Sequence, residues 1–169
     1  MNQYTRLIIA LAVLIGIAGT FILYLSFPLL AGKAVILKTQ PVDPFDLLRG
    51  QYLIINYEIS RVDLPAEAKE GDAVYVSLKE SKDKIWRADK VLLSKPDNGV
   101  FIRGTAKQSW QGLGVEYGIE QYFFERDAHI PRMDSVKVKV DSSGQARIVE
   151  LLMNGTELNI TYKKPRLTS

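Results

Sequence analysis

From Leu7 to Gly32 the chain carries no charged side chain, and its centre reads LIIALAVLIGIAGTFILYLSF. A helix rises about 1.5 Å per residue, so roughly 20 such residues cross a hydrocarbon layer about 30 Å thick. Unpaired backbone amides are costly in lipid, so an inserted segment of this kind must be helical. The pattern predicts a transmembrane helix over residues 7–30 behind a short tail, residues 1–6. Gly16 and Gly19 are tolerable in such a helix, and Tyr24, Phe27 and Pro28 place its exit from lipid near Phe27-Pro28. A cleaved signal peptide has an apolar centre of about 7–15 residues and a small-x-small site. This run is longer, and Leu30-Ala31-Gly32-Lys33-Ala34 makes a poor site. A buried core helix would show a polar face, and none exists. The segment therefore reads as an uncleaved signal-anchor. Its orientation is less determined: Arg6 stands on one flank, and Lys33, Lys38 and Arg49 on the other. A short basic start before a long apolar run is expected to place the soluble domain outside the cytoplasm, although a strict count of basic residues does not favour that side.

After the anchor the pattern changes from continuous to alternating. Val74, Val76 and Leu78 alternate with Tyr75, Ser77 and Lys79, and Val136, Val138 and Val140 alternate with Lys137, Lys139 and Asp141. Period two is the pattern of a strand with one wet face. Further strands are predicted over Ala34–Lys38, Tyr52–Ile59, Ile85–Leu93 with a break near Arg87–Lys90, Val100–Ala106, Ile119–Glu125, Ala146–Met153 and Thr156–Tyr162. Asp97-Asn98-Gly99 and Ser142-Ser143-Gly144 supply turns. Asn154-Gly155 fits the two positive-φ positions of a type I′ turn and predicts a C-terminal hairpin. The expected fold is mostly β: a single N-terminal transmembrane helix followed by one antiparallel β-barrel or β-sandwich domain over residues 31–163, with a basic tail at 164–169. Periodicity does not choose between barrel and sandwich.

Charge adds little to this picture. The formal net charge is +3, and with only Arg6 ahead of Lys33 the soluble part is almost balanced. Such balance gives no electrostatic footprint for nucleic acid. The absence of cysteine excludes disulfides, thiolate metal sites and a cysteine nucleophile.

The richest stretch is Pro41-Val42-Asp43-Pro44-Phe45-Asp46-Leu47-Leu48-Arg49-Gly50, running into Gln51 to Ser60. It reads as a polar loop entering a strand. Asp46 is suited to accept backbone amides, Arg49 to pair with Asp43 or Asp46, and Gly50 to allow a backbone angle or approach closed to other residues. In the strand, Leu53, Ile55, Tyr57 and Ile59 share one face, and Tyr52, Ile54, Asn56 and Glu58 the other. A second block, Tyr117-Gly118-Ile119-Glu120-Gln121-Tyr122-Phe123-Phe124-Glu125, follows downstream.

The first block resembles the Gly-Asp-Tyr-x-x-Leu-x-Tyr motif of the GDYXXLXY family. Gly50, Tyr52 and Tyr57 match it, Gln51 replaces the Asp, and Ile55 replaces the Leu. The second block is similar to that family's Gly-Ile-Glu-x-Tyr-Phe segment, through Gly118, Ile119, Glu120, Tyr122 and Phe123, and an N-terminal anchor is also typical. The resemblance implies a membrane-anchored bacterial protein without an assigned cofactor or catalytic residue, positioned beside a multi-spanning membrane protein. Gln at the motif Asp keeps hydrogen-bonding capacity but loses charge, which argues against an essential catalytic carboxylate there.

Other residue types that could carry chemistry are isolated from the partners they would need. Ser26 lies where a membrane-proximal serine nucleophile could sit, but Phe27-Pro28 follows and no free lysine partner is evident. Glu120 and Glu125 are an odd number apart, on opposite faces of a regular strand. His129 is the single histidine and makes no cluster with Asp127 or Asp134 at a metal-ligand spacing. Gly112-x-Gly114 reads as a turn. Trp86, Trp110, Tyr117, Tyr122, Phe123 and Phe124 fit core packing or a ligand groove. The sequence therefore predicts no catalytic, metal or cofactor site. It predicts a non-catalytic binding or accessory domain for an integral membrane protein in the cell envelope. Asp43, Asp46, Arg49, Gly50, Tyr52, Tyr57, Gly118, Glu120, Tyr122 and Glu125 are the candidate structural or contact residues. A small-ligand module and an unrecognised hydrolase are the alternatives.

Overall fold

A computed structural model describes residues 2–40, 52–109, 112–123, 128–129, 132–158 and 161–162. The expected helix is present as α1, Gln3–Ala31. Its window Gln3–Tyr24 has a mean hydropathy of 2.6, long and apolar enough to cross a membrane, and none of it is buried against the rest of the chain. A core helix would be covered, so this exposure separates α1 from the domain's interior. Thr20 donates its Oγ1 hydroxyl to the Gly16 carbonyl at 2.8 Å, which satisfies the hydroxyl within the helix's own backbone. The helix continues past Phe27-Pro28 to Ala31, so the expected exit point is not its end. Pro28 lacks one donor, but helical backbone persists until Gly32, and a strand begins at once.

Thirteen strands follow among the described residues. They are β1 Lys33–Gln40, β2 Tyr52–Ile54, β3 Asn56–Tyr57, β4 Ala73–Glu80, β5 Ile85–Leu92, β6 Val100–Ser109, β7 Gly112–Glu116, β8 Gln121–Phe123, β9 Ala128–His129, β10 Ser135–Val140, β11 Ala146–Met153, β12 Thr156–Glu157 and β13 Thr161–Tyr162. The main sheet has the order β12-β11-β10-β1-β5-β4-β6-β7, with β3 also paired to β1. All its pairings are antiparallel except β1 with β5, which run parallel at Ile36–Ile85 and Leu37–Trp86. The expected antiparallel β domain is present, with that one parallel junction within it. The sheet curls, and Arg103 N donates at 2.8 Å to Gly144 O in the β10–β11 turn, joining parts far apart in strand order.

Alternation explains the core. Val35 and Leu37 of β1, Val74 and Val76 of β4, Ile102 of β6, and Val136, Val138 and Val140 of β10 are all buried. Two bulges help the sheet curl. One lies where Ser77-Leu78 faces Lys90 and Ala88, leaving Asp89 as the extra residue. The break expected near Arg87–Lys90 is thus a bulge inside one continuous strand. The other lies where Lys137-Val138 faces Glu150 and Ile148, leaving Val149 outside. Asn154 has φ 51° and Gly155 φ 76°, as the type I′ reading requires. The arm beyond that turn is shorter than expected: β12 ends at Glu157, and β13 pairs with β9 instead. Gly112-x-Gly114 is the start of β7, not a turn; Gly112 has φ 112° at its entry.

Candidate functional site

The two motif blocks meet. β2 and β8 pair antiparallel as Tyr52–Phe123, Leu53–Tyr122 and Ile54–Gln121. The ladder extends one step further through Ile55 N, which donates to Glu120 O at 2.7 Å. The strand expected over Tyr52–Ile59 is interrupted at Ile55 and ends in a 3-10 turn, Glu58–Ser60, because its partner changes from β8 to β1. Its side-chain alternation nonetheless survives the interruption: Ile55, Tyr57 and Ile59 are buried, whereas Ile54 and Asn56 are exposed.

Two tyrosines lock the blocks reciprocally. Tyr57 Oη donates to Ile119 O at 2.8 Å, and Tyr117 Oη donates to Ile59 O at 2.6 Å. Each ring comes from one block and bonds the main chain of the other. Burial pushes both phenols above the usual tyrosine range, and the nearby Glu120 carboxylate adds to that shift. Both therefore act as neutral donors. The Glu120 side chain turns back and accepts the Tyr117 N–H at 2.6 Å. Gly118, with φ 78°, supplies the backbone angle for this turn. The strand expected from Ile119 accordingly starts only at Gln121.

Gly104 of β6 completes the clasp. A Cβ there would stand 2.8 Å from Glu116 O and 2.9 Å from the Tyr117 ring, and closer still to a Val115 methyl. A glycine inside a strand pattern signals such close approach, and this one was the legible clue that the candidate residues did not include.

Of those candidates, Tyr57, Gly118, Glu120 and Tyr122 fall together at this clasp, and the backbone of Tyr52 pairs into it. Tyr122 and Leu53 pack against the core from the inner face of the ribbon. Asp43, Asp46, Arg49, Gly50 and Glu125 lie outside the described residues. So do Gln51, Trp110, Phe124 and Asp127. Ile54 opposes Gln121, and Gln121 and Phe123 are two apart on β8, so Ile54 and Phe123 share the outward face; they are 47% and 72% exposed. Beside the clasp an open cleft of about 960 Å³ is lined by Arg103, Tyr117, Tyr122, Phe123 and Arg147. Trp86, by contrast, packs against the core.

Other polar groups have local tasks. Asp134 accepts from Ser135 Oγ at 2.7 Å and from Asn154 N at 2.8 Å, holding the entry to the C-terminal turn. Asp141 accepts from Ser143 N, Ser143 Oγ and Gln145 N within its own turn. Among the described residues no three His, Asp or Glu side chains gather as a metal-binding set.

Comparison with curated proteins found no match, and neither did comparison with solved structures. The model of the family described as GDYXXLXY protein matches residues 14–151, a span that runs from within α1 through both clasped blocks into β11. The chain belongs to the GDYXXLXY family.

Proposed function

We propose that this is a non-catalytic, membrane-anchored β domain serving as a binding or accessory subunit for an integral membrane protein of a bacterial envelope, with its soluble part on the extracytoplasmic side. The observation that carries the reading is the outward face of the β2–β8 ribbon. Phe123, 72% exposed, and Ile54, 47% exposed, project from a ribbon whose other face is fixed to the core. The two phenols and the Glu120 carboxylate already serve the fold, so what the ribbon's outer face offers is the apolar pair Ile54 and Phe123 beside the exposed Gln121. Aromatic side chains on a rigid support are favoured anchors of protein interfaces. The anchor adds a second argument, since confinement to a bilayer raises the effective concentration of a partner in the same bilayer.

The test is a mild-detergent pull-down of the full-length protein, with Phe123→Glu as the comparison. Recovery of an integral membrane protein by the native chain and its loss with Phe123→Glu supports the reading. Equal recovery by both counts against this surface.

A second reading has its own observation. Arg103 and Arg147 flank a cleft that also holds Tyr122 and Phe123, a combination suited to a small anionic ligand with an apolar part. Such a ligand would raise the melting temperature of the native protein and leave that of Arg147→Ala unchanged. The hydrolase alternative would need a serine held against a base. Among the described residues the buried Ser60 Oγ has no hydrogen-bond partner, so none of them supplies that base.

A further inference from the structure

We propose that the end of the β domain next to the anchor is a docking surface for anionic lipid headgroups. The inference goes beyond partner binding and rests only on α1 crossing the bilayer.

Strand direction identifies that end. Only Gly32 separates α1 from β1, so Lys33 starts where the helix stops. Pairing then fixes which turns lie level with it. β10 is antiparallel to β1 with Val140 beside Lys33, which brings the turn at Asp141 to the same end. β5 is parallel to β1 and starts at Ile85 beside Ile36, so the turn of residues 81–84 faces the same way. Leu78, near the end of β4, pairs with Val100 at the start of β6, which brings the approach to β6 there too. A shared basin of about 510 Å³ lined by Lys33, Lys95, Asn98 and Asp141 confirms this grouping.

Four exposed lysines occupy this end: Lys33, Lys82, Lys84 and Lys95. Lys84 sits at φ 63°, in the tip of its turn. Lys95 Nζ stands 5.8 Å from the centre of the Phe101 ring, which steadies the stem while the residue stays exposed. The acidic groups present are largely engaged. Asp83 holds Arg87 through two bonds of 3.1 and 2.8 Å, and Asp141 is saturated by its own turn. With Asp83 paired to Arg87, the four lysines exceed the remaining carboxylates there, Glu80, Asp97 and Asp141, by one charge.

Basic side chains held within a screening length of an anionic bilayer are attracted to it, and that length is about 10 Å at 0.1 M salt. The anchor already brings this end to the interface, so the domain need not lose further translational freedom to engage. The lysines seat it upright and fix which faces of the curled sheet look along the membrane.

The experiment places the full-length protein in nanodiscs of phosphatidylcholine alone, or with phosphatidylglycerol added, and reads amide hydrogen exchange. Segments 81–84 and 95–99 should exchange about fivefold more slowly, or slower still, on the anionic discs. That difference should vanish at high salt. It should also vanish in Lys82→Glu/Lys84→Glu/Lys95→Glu and persist in Lys38→Glu/Lys69→Glu/Lys90→Glu, which changes charge equally on exposed sites elsewhere. Protection across Val74–Leu78 reports whether each variant is folded, and the salt series on the native chain needs no variant. Equal exchange on both disc types overturns the proposal, as does persistence at high salt or equal loss in the two triple variants.

Discussion

Tyr57 donates its hydroxyl to the carbonyl of Ile119, 62 residues away, from a site with no solvent exposure. Ile119 stands two residues beyond Tyr117, whose own hydroxyl returns to Ile59, two residues beyond Tyr57. The two bonds make one reciprocal clasp that continues, beyond Ile55 and Glu120, the β2–β8 ladder between the two segments. Tyr57→Phe keeps the ring and strips the donor, leaving a buried carbonyl unpaired, at a cost of about 1–3 kcal/mol. Tyr57→Ala adds a cavity and should cost about 3–5 kcal/mol. Denaturant melts of the full-length chain in nanodiscs check both values and their order.

Ionising either phenol inside the clasp is disfavoured, because the folded pKa is raised above the unfolded value of about 10. The folded state thus holds its protons longer than the unfolded state does. The stabilisation is fully present below about pH 10 and declines as pH rises further. In an alkaline titration followed by tyrosinate absorbance, Tyr57 and Tyr117 should ionise only as the domain unfolds. Tyr57→Phe/Tyr117→Phe should remove that late component. Its persistence would mean that other tyrosines produce it.

Glycines at the clasp separate two kinds of constraint. Gly104→Ala would drive a methyl into the Glu116 carbonyl and the Tyr117 ring, an overpacking that should cost about 3 kcal/mol. Gly118→Ala meets open space and suffers only its left-handed backbone, about 1 kcal/mol. Melts showing Gly118→Ala to be the more damaging would contradict the described geometry.

The Arg87 guanidinium bonded to Asp83 holds that carboxyl down to about 2. A depressed carboxylate stabilises the fold above its unfolded value and loses that contribution as pH falls toward the folded one. Here the window lies between about pH 4 and pH 2. The pair is exposed, so solvent screens its effect on global stability and the titration is the better readout. Carboxyl NMR should place the Asp83 midpoint near 2. In Arg87→Ala it should move up toward the ordinary aspartate range. An unmoved midpoint would show that Arg87 is not the cause.

Much of the fold was legible because α1 and the longer strands obey one period each. Ala146–Met153 coincides with β11, and the Val136-Val138-Val140 alternation lies in β10. Asn154-Gly155 specified its own turn through backbone sterics. The losses occurred where pairing partners change. Ile55 alternates like a strand residue but bonds to Glu120 between two ladders, and nothing local encodes that switch. The parallel contact of β1 with β5 likewise depends on sheet order, which periodicity does not carry. At the clasp, Tyr57 and Glu120 were legible as motif residues. That a phenol would reach Ile119 and a carboxylate would turn back to Tyr117 requires the tertiary fold. β1 is eight residues long, so Gln40 lies about 23 Å along the strand from Lys33.

The clasp serves the fold, and the outer face of its ribbon is proposed to meet a membrane partner. Photo-crosslinking from position 123 of the full-length protein in native membranes, with position 90 as the comparison site, decides between contact and no contact. An adduct with an integral membrane protein is expected from position 123, weakened by Ile54→Glu and absent from position 90. No adduct from position 123, or the same adduct from position 90, would refute the proposed contact.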